Sequence, residues 1–393
     1  MILGAVLALT FSVRWSYADW LSTQPSLYDR RRAATLSPGD AAVWLRLADL
    51  TSIGGEDARP ILKSALLCSP SDSNIWVRLG LESEAYREYG EAERCLLRAT
   101  QLDHDLIPLW TLTNFYFRRG APARFFPAAR GILAFSQGDL APVFRMAWAL
   151  APDPNRMLTE GMPDAPRPLI AYLNWLLAAD LLDAADPVAT SLRSRFPREG
   201  REALLSYCDL LIAAGRWERA TGLWNDMDAR KLIATGPVRD HAILNASFRP
   251  GSFNRGFDWR LTSVDGIEAL PDSPSLWIRL SGRQPDRVEI ASQTLLFERG
   301  VSYRLHSRLE SSGIDATLGL HWAFIDSRGN DTVSRSADLS ADGNSEWTFA
   351  FDQSSSGTGR APLRLVLLYE RPPAGPRGDG WVRIDSLSLE KLP

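Results

Sequence analysis

The side chains best suited to chemistry in this sequence are aromatic and planar polar groups near the C-terminal end. In the segment SLWIRLSG (275–282), alternate residues of a strand face opposite sides, so the leucines and Ile278 leave Trp277 and Arg279 on the other face. An indole can stack on the apolar face of a sugar ring, and a guanidinium can donate hydrogen bonds to its hydroxyl groups. The pair therefore predicts a carbohydrate-binding face. As the alternative, Trp277 packs under a loop or against the helical part of the chain.

Two further predicted strands would add polar groups to that face. By the same alternation, VSYRLHSRL (301–309) directs Arg304 and His306 outward, and TLGLHWAFID (317–326) directs His321 outward. Guanidinium and imidazole groups are planar and suit the hydroxyl groups of a sugar. These three side chains would complete the candidate site if their strands are neighbours.

Asp258 and Trp259 belong to another predicted strand, GFDWRL (256–261), and lie near its end. In that position they would either line the rim of the carbohydrate site or staple the first strand to its domain. The sequence leaves both alternatives open.

No motif typical of catalysis or metal binding occurs in the sequence. It contains no G-x-S-x-G, H-E-x-x-H or P-loop pattern. The four histidines are scattered, at His104, His241, His306 and His321. The three cysteines show no metal or redox spacing and lie in apolar helical stretches, as Cys68, Cys95 and Cys208. We therefore predict a non-enzymatic protein with no catalytic residue, metal site or cofactor; a glycan-processing enzyme is the alternative.

Composition is that of a folded protein with more than one domain. The chain has 393 residues, of which 45% are hydrophobic and 23% charged. Its formal net charge of -3 gives no general attraction to phosphate, so no nucleic-acid partner is predicted.

A repeat runs through the first third of the chain. Trp44, Trp76 and Trp110 are separated by 32 and 34 residues, and each follows a turn-like segment. The spacing favours a helical hairpin in which the tryptophan opens the first helix and Gly80 allows the second helix to approach closely. The pattern resembles the tetratricopeptide repeat over about residues 37–136, most closely in the middle unit.

The resemblance implies a second candidate surface. Stacked helical hairpins curve, and their concave face commonly holds an extended peptide or a partner helix. First-helix residues predicted to face that groove are Arg78, Glu82 and Asn114. A protein or peptide partner is therefore expected; the alternative is that these side chains are merely solvated.

The later chain changes from a helical period to a period of two. Less regular helical hairpins follow the repeats, and after Gly236-Pro237 short alternating segments are spaced by Gly, Asp, Ser and Pro clusters. Eight or nine strands in about 150 residues suggest a jelly roll. The predicted fold class is an α + β multidomain chain, with an N-terminal tetratricopeptide-like solenoid followed by an antiparallel β-sandwich.

Five segments are predicted. They are an apolar first segment (1–22), tetratricopeptide-like repeats (23–136), degenerate helical hairpins that continue the array (137–232), a linker (233–243) and the sandwich (244–393).

Two phrases in the sandwich carry a further resemblance. NASF (245–248) and IDSLSL (384–389) resemble the first and last strands of galactose-binding-like and related carbohydrate-binding jelly rolls. Ala246 replaces the usual glycine and Arg249 the usual acidic residue. Both segments mainly mark strand ends, so they support the predicted fold more than the binding of a ligand. The whole layout, with GFDWRL (256–261), looks like bacterial proteins found beside exopolysaccharide-production and exosortase systems.

The first residues predict an association with a membrane. MILGAVLALTFSV is apolar but shorter than the roughly 20 residues that span a bilayer, and Trp15 and Trp20 would suit a membrane interface. We expect residues 1–22 to be an inner-membrane signal anchor, with the chain facing the periplasm. The alternative is an apolar first helix packed on the repeats.

Together these patterns predict a scaffold of the cell envelope. It would bind partner proteins through its repeats and polysaccharide through its sandwich, in exopolysaccharide assembly or export. The alternative is a pure protein-interaction scaffold with a structural β-domain.

Overall fold

The chain forms two compact units, Met1–Trp175 and Leu176–Pro393. A computed structural model describes residues 2–251, 253–272, 274–314, 317–327, 331–339, 343–352, 360–373 and 375–393. Its helices are α1 (Ile2–Ser22), α2 (Leu27–Leu36), α3 (Ala41–Ile53), α4 (Arg59–Cys68), α5 (Ser73–Ala85), α6 (Tyr89–Leu102), α7 (Leu106–Arg118), α8 (Pro122–Phe135), α9 (Ala141–Leu150), α10 (Pro154–Arg156), α11 (Pro166–Ala178), α12 (Leu182–Arg195), α13 (Arg201–Ala213) and α14 (Trp217–Ala229). A π-helical turn, Met157–Gly161, follows α10.

The predicted repeat appears as a repeated contact at the start of two hairpins. Trp44 Nε1 donates to the carbonyl of Pro38, and Trp76 Nε1 donates to the carbonyl of Pro70, both at 2.9 Å. Each indole thus connects its helix, α3 or α5, to the turn that precedes that helix by a hydrogen bond. The same geometry at a 32-residue spacing confirms that α3–α4 and α5–α6 are equivalent hairpins.

Close packing inside the middle hairpin depends on a glycine. Gly80 of α5 is buried, and a Cβ there would lie 2.7 Å from Leu96 Cγ and 3.3 Å from the carbonyl oxygen of Ala92. Leu96 and Ala92 are fully buried on α6. The prediction that Gly80 lets the two helices approach closely is confirmed.

The last turns of α1 pack on the helices that follow. Ala18 and Leu21 are buried, and Leu21 joins a cluster with residues of α2 and α3. Trp15 and Trp20 lie on the exposed side of the same helix, 66% and 56% exposed. Within the described part of the chain, no helix combines the length and the apolar character that crossing a membrane requires.

Two antiparallel sheets of five strands each are seen among the described residues. The strands are β1 (Arg260–Leu261), β2 (Ile267–Asp272), β3 (Ser275–Ser281), β4 (Arg287–Glu298), β5 (Ser302–Ser312), β6 (Leu320–Asp326), β7 (Thr332–Arg335), β8 (Gly343–Asp352), β9 (Arg360–Glu370) and β10 (Asp379–Lys391). Sheet I has the order β1-β4-β9-β6-β7, and sheet II has the order β2-β3-β10-β5-β8.

The two sheets share one apolar core. Alternate residues of sheet II, such as Leu276 and Ile278, meet alternate residues of sheet I, such as Leu365 and Trp322, in a single buried cluster. The prediction that Trp322 lies in the core is confirmed. Consecutive strands switch between the sheets from β3 to β6 and again from β7 to β10, as in a jelly roll. The fold is therefore a helical array followed by an antiparallel β-sandwich, as the sequence predicts.

The segment predicted as a linker, 233–243, is hydrogen-bonded at both ends. Trp224 Nε1 of α14 donates to the carbonyl of Gly236 at 3.1 Å. At the other end, the backbone N–H of His241 donates to the carbonyl of Leu296 on β4 at 2.7 Å. Both contacts lie within the second compact unit, so this segment is tied to the last helix and to sheet I.

Candidate functional site

A groove of about 620 Å³ lies along the first helices of the α3–α4 and α5–α6 hairpins. Its lining residues are Ala48, Asp49, Ser52, Ile53, Ala58, Leu62, Arg78, Leu81, Glu82 and Ala85. Ile53 is 83% exposed and Leu81 is 42% exposed, so the groove presents apolar surface to solvent. Exposed apolar side chains in a concave site favour binding of a partner that covers them.

The charges of the groove are arranged around one ion pair. Arg78 Nη2 lies 2.5 Å from Asp49 Oδ1, which joins α5 to α3 across the groove. Glu82 lies on α5 one turn after Arg78 and lines the same groove. The two carboxylates and one guanidinium leave the groove with a formal charge of -1.

Two of the three residues predicted for this surface are brought together. Arg78 and Glu82 line the groove. Asn114 lies on α7, where its Nδ2 donates to the carbonyl of Trp110 in its own helix at 2.9 Å. Asn114 is half-buried, and it is not among the lining residues of the groove.

The second surface is the outward face of sheet II. In the antiparallel pair of β3 and β10, Trp277 lies opposite Arg383 and Arg279 lies opposite Trp381. The rings of Trp277 and Trp381 are 4.9 Å apart between centroids, at an interplanar angle of 37°. Both indoles are partly exposed, so two adjacent aromatic rings face solvent on this sheet.

Arg383 connects the aromatic pair to polar neighbours. Its guanidinium carbon lies 5.5 Å from the centroid of the Trp277 ring, in cation–π geometry. The same guanidinium lies 2.7 Å from carboxylate oxygens of Asp385 and Glu310. Ser275 Oγ donates to Asp385 Oδ1 at 2.9 Å. The Trp277 ring is therefore bordered by groups that are already oriented by hydrogen bonds.

The ionisation of Asp385 follows from these contacts. Partial burial raises the pKa of the Asp385 carboxyl, but hydrogen bonds from Arg383 and Ser275 outweigh that effect and hold the pKa below its ordinary value. Asp385 is therefore a carboxylate at neutral pH. It supplies hydrogen-bond acceptors at the edge of the aromatic pair.

A smaller polar cleft of about 370 Å³ occupies the other end of the same face. Its lining residues are His306, Ser307, Arg308, Glu346, Trp347, Thr348, Ser386, Ser388 and Glu390. His306 Nε2 lies 3.0 Å from Glu390 Oε2, and Arg304 Nη1 lies 4.0 Å from the same oxygen. This cleft is thus lined by hydroxyl groups, an imidazole and carboxylates, and has little apolar surface.

Four of the residues predicted for carbohydrate binding share this face. Trp277 and Arg279 lie on β3, Arg304 and His306 lie on β5, and β10 runs between the two strands. Sheet II therefore places the four side chains on one surface, although their strands are not directly adjacent.

His321 lies elsewhere. It belongs to β6 of sheet I and is 1% exposed, with its Nδ1 3.0 Å from the carbonyl oxygen of Gly319. Strand alternation does direct it away from the shared core, but the neighbouring outward residues Ala323 and Val366 are buried as well. Its predicted place beside Trp277 is therefore corrected: His321 is a buried side chain of the other sheet.

Asp258 and Trp259 are also buried, 1% and 0% exposed. Trp259 packs against Phe248, and its Nε1 donates to the carbonyl of Asn245 at 3.2 Å. Asp258 Oδ1 accepts hydrogen bonds from Trp259 N–H and from Asn245 Nδ2. Of the two predicted alternatives, the structure favours a packing role over a place at the edge of a carbohydrate site. Asp258 and Trp259 hold residues 245–248 against the sandwich.

Sequence reasoning predicted a strand at 381–389 but left Trp381 and Arg383 out of the candidate site. Trp381 and Arg383 follow from the same alternation that reveals Trp277, since Val382 and Ile384 point into the core. That alternation is visible in the sequence WVRIDSLSL (381–389). What the sequence does not show is that β10 lies between β3 and β5.

No cluster of three or more histidine, cysteine, aspartate or glutamate side chains suited to a metal ion occurs among the residues that the structure describes.

Comparison with known proteins shows low similarity throughout. No family model and no curated protein matches the sequence. Among solved structures, PilF of Pseudomonas aeruginosa is similar at 16% identity with a TM-score of 0.28, over 49% of this chain and 93% of that one. YrrB, described as a tetratricopeptide (TPR) protein with an unusual peptide-binding site, is similar at 14% identity and 0.26, over 52% and 94%. MamA is similar at 14% identity and 0.28, over 49% and 94%.

Proposed function

We propose that this chain is a non-enzymatic scaffold whose helical array binds an extended segment of a partner protein. The observation that supports the proposal is the groove along α3 and α5, with exposed Ile53 and Leu81 beside the Asp49–Arg78 ion pair. An apolar side chain of the partner would cover Ile53 and Leu81 and release the water that now contacts them. A basic residue of the partner, next to that apolar side chain, would pair with Glu82, because the groove carries a formal charge of -1.

Panning a random dodecapeptide phage library on the full chain tests this proposal. We expect enriched peptides to combine an apolar residue with a neighbouring lysine or arginine. Leu81→Ser should weaken their binding about tenfold, the effect of losing about 1.4 kcal/mol of apolar contact. Leu67→Ser is the matched control, because Leu67 is 87% exposed on α4 and does not line the groove. Enriched peptides that bind both variants equally would exclude the groove.

We further propose that the sandwich binds polysaccharide, so that the protein serves in exopolysaccharide assembly or export. The partly exposed Trp277–Trp381 pair supports this function, because aromatic rings on a polar sheet face suit the apolar face of a sugar. Electrophoresis of the full chain in gels that contain soluble polysaccharides is the test. Retardation in one of the gels is expected. Unchanged mobility in every gel would leave a pure protein-interaction scaffold with a structural β-domain.

The proposed location is the periplasmic side of the bacterial inner membrane, with residues 1–22 as the anchor. The apolar sequence before Arg14 and the exposed Trp15 and Trp20 of α1 support this location. A reporter that is active only in the periplasm, fused after residue 35, should be active in cells. An inactive reporter would contradict the anchor.

A further inference from the structure

We propose that the outward face of sheet II binds a linear, uncharged polysaccharide over several sugar units. Trp277 and Trp381 would form a stacking subsite at one end. The smaller polar cleft, which His306 lines, would form a hydrogen-bonding subsite at the other end. The inference rests on the polysaccharide binding proposed above. It adds the class of polymer, the direction in which the polymer lies and the residues that each part of it contacts.

The stacking subsite is defined by the two indoles. Their centroids are 4.9 Å apart and their planes differ by 37°, so the two rings pack against each other and form one aromatic cluster, part of which reaches solvent. Arg383, Asp385 and Glu310 border the Trp277 side of that cluster. Donors and acceptors held at the edge of an aromatic surface match a pyranose ring, which has C–H groups on its faces and hydroxyl groups around its rim.

The charges of the face favour an uncharged polymer. Each arginine that the structure describes on this face lies beside a carboxylate. The pairs are Arg383 with Asp385 and Glu310, Arg308 with Glu346, Arg304 with Glu390, and Arg279 opposite Glu268 in the β2–β3 register. The described side chains of the face therefore carry no excess of positive charge that would attract a polyanion. An acidic sugar would also bring its carboxylate close to Asp385 and Glu310.

The distance between the two subsites points to a chain rather than a single sugar. Trp381 and Ser388 lie on the same strand, seven residues apart, which corresponds to about 23 Å at the usual rise of a strand. Outward hydroxyl groups lie between or beside them, on Ser386 and Thr348. One sugar ring cannot reach both ends, so affinity should increase with the length of the oligosaccharide.

Affinity electrophoresis and calorimetry on the full chain test the inference. The neutral probes are hydroxyethylcellulose and galactomannan, and the acidic probes are polygalacturonate and alginate. We expect retardation by a neutral polymer and not by the acidic ones, and tighter binding of a hexasaccharide than of a disaccharide of that polymer. Trp381→Ala and Trp277→Ala should each weaken binding about tenfold, as expected for the loss of a stacking contact.

Two controls separate binding from folding. Trp381→Tyr keeps an aromatic ring and should retain most of the affinity. Trp20→Ala removes an exposed indole from α1, outside the sandwich, and should leave binding unchanged. Thermal melting of each variant should show that the sandwich remains folded.

The outcomes distinguish the two proposals. If neutral polymer binds equally well to folded Trp381→Ala and Trp277→Ala, or if the acidic polymers bind better, the subsites proposed here are wrong and polysaccharide binding stands. If no polymer binds the unaltered chain, both proposals are wrong.

Discussion

Gly256 lies directly against the indole ring of Trp224, with no room for a side chain between them. A Cβ at position 256 would overlap the six-membered ring of Trp224, and the backbone of Gly256 has a φ of +52°, which disfavours other residues. The backbone N–H of Gly256 also donates to Asp209 Oδ1 on α13 at 2.6 Å, and Arg260 Nη2 donates to the same oxygen at 2.8 Å. The loop before β1 is thus fitted onto the last helical hairpin.

Gly256→Ala should therefore lower the free energy of unfolding. We expect a loss of about 1–3 kcal/mol, because a buried methyl group must displace Trp224 in a packed region. Urea denaturation followed by tryptophan fluorescence measures it. Gly222→Ala is the matched control, because nothing lies within 4 Å of a Cβ at that position of α14. That variant should be neutral or slightly stabilised. Equal stability of both variants would contradict the packing described here.

Gly80→Ala tests the packing inside the middle helical hairpin. The added methyl group would press on Leu96, which is fully buried, so we expect a loss of about 1–3 kcal/mol in the free energy of unfolding. Circular dichroism at 222 nm during thermal unfolding provides the measurement. Gly90→Ala, with open space around its Cβ on α6, should change the melting temperature little. A larger effect at position 90 than at position 80 would be inconsistent with this geometry.

His321 should make the stability of the protein depend on pH. Burial lowers the pKa of His321, and the nearby charge of Arg335 lowers it further; the Gly319 carbonyl and the Asp338 and Glu370 carboxylates oppose the shift. The folded protein therefore keeps a neutral imidazole at pH values where the unfolded chain, with its ordinary pKa of about 6.5, is protonated. Since the unfolded state then binds the extra proton, the free energy of unfolding decreases as the pH falls below about 6.5, until the folded pKa is reached.

Denaturation at pH 8, 7, 6 and 5.5 measures this dependence. His321→Gln should have a shallower decrease in stability below pH 6.5 than the unaltered protein. His104→Gln is the control, because His104 is exposed. A His321→Gln profile parallel to that of the unaltered protein would mean that this imidazole does not carry the effect.

The three cysteines should differ in reactivity. Burial raises the pKa of the Cys95 thiol to about 11 and raises that of Cys208 further still. Cys68 is half-buried, and its Sγ lies 3.1 Å from the carbonyl oxygen of Pro38. Because the thiolate is the reactive form, Ellman's reagent at pH 8 should modify Cys68 first in the folded protein and all three thiols after denaturation. Rapid modification of Cys68→Ser would show that a buried thiol is accessible.

Local patterns were enough to predict both parts of the fold. Trp44 and Trp76 recur with the spacing of a helical hairpin, and each makes the same hydrogen bond at the start of its helix. Alternation in the strand around Trp277 separates core residues from outward ones, because successive side chains of a strand point to opposite faces. Each of these features depends on residues close together in the chain, so one sequence reveals them.

Only the tertiary structure decided which outward residues form a surface together. Sheet order places Trp381 beside Trp277 although 103 intervening positions separate them, and it puts His321 on the other sheet. Alternation indicates that a side chain leaves the core, but it does not indicate whether another part of the protein covers it. His321 and Trp277 both point away from the shared core; His321 is buried, and Trp277 reaches solvent. The order of strands in a sheet and the burial of an outward side chain depend on contacts between segments that are distant in the sequence. Strand alternation and repeat spacing depend only on residues that are close together in the chain.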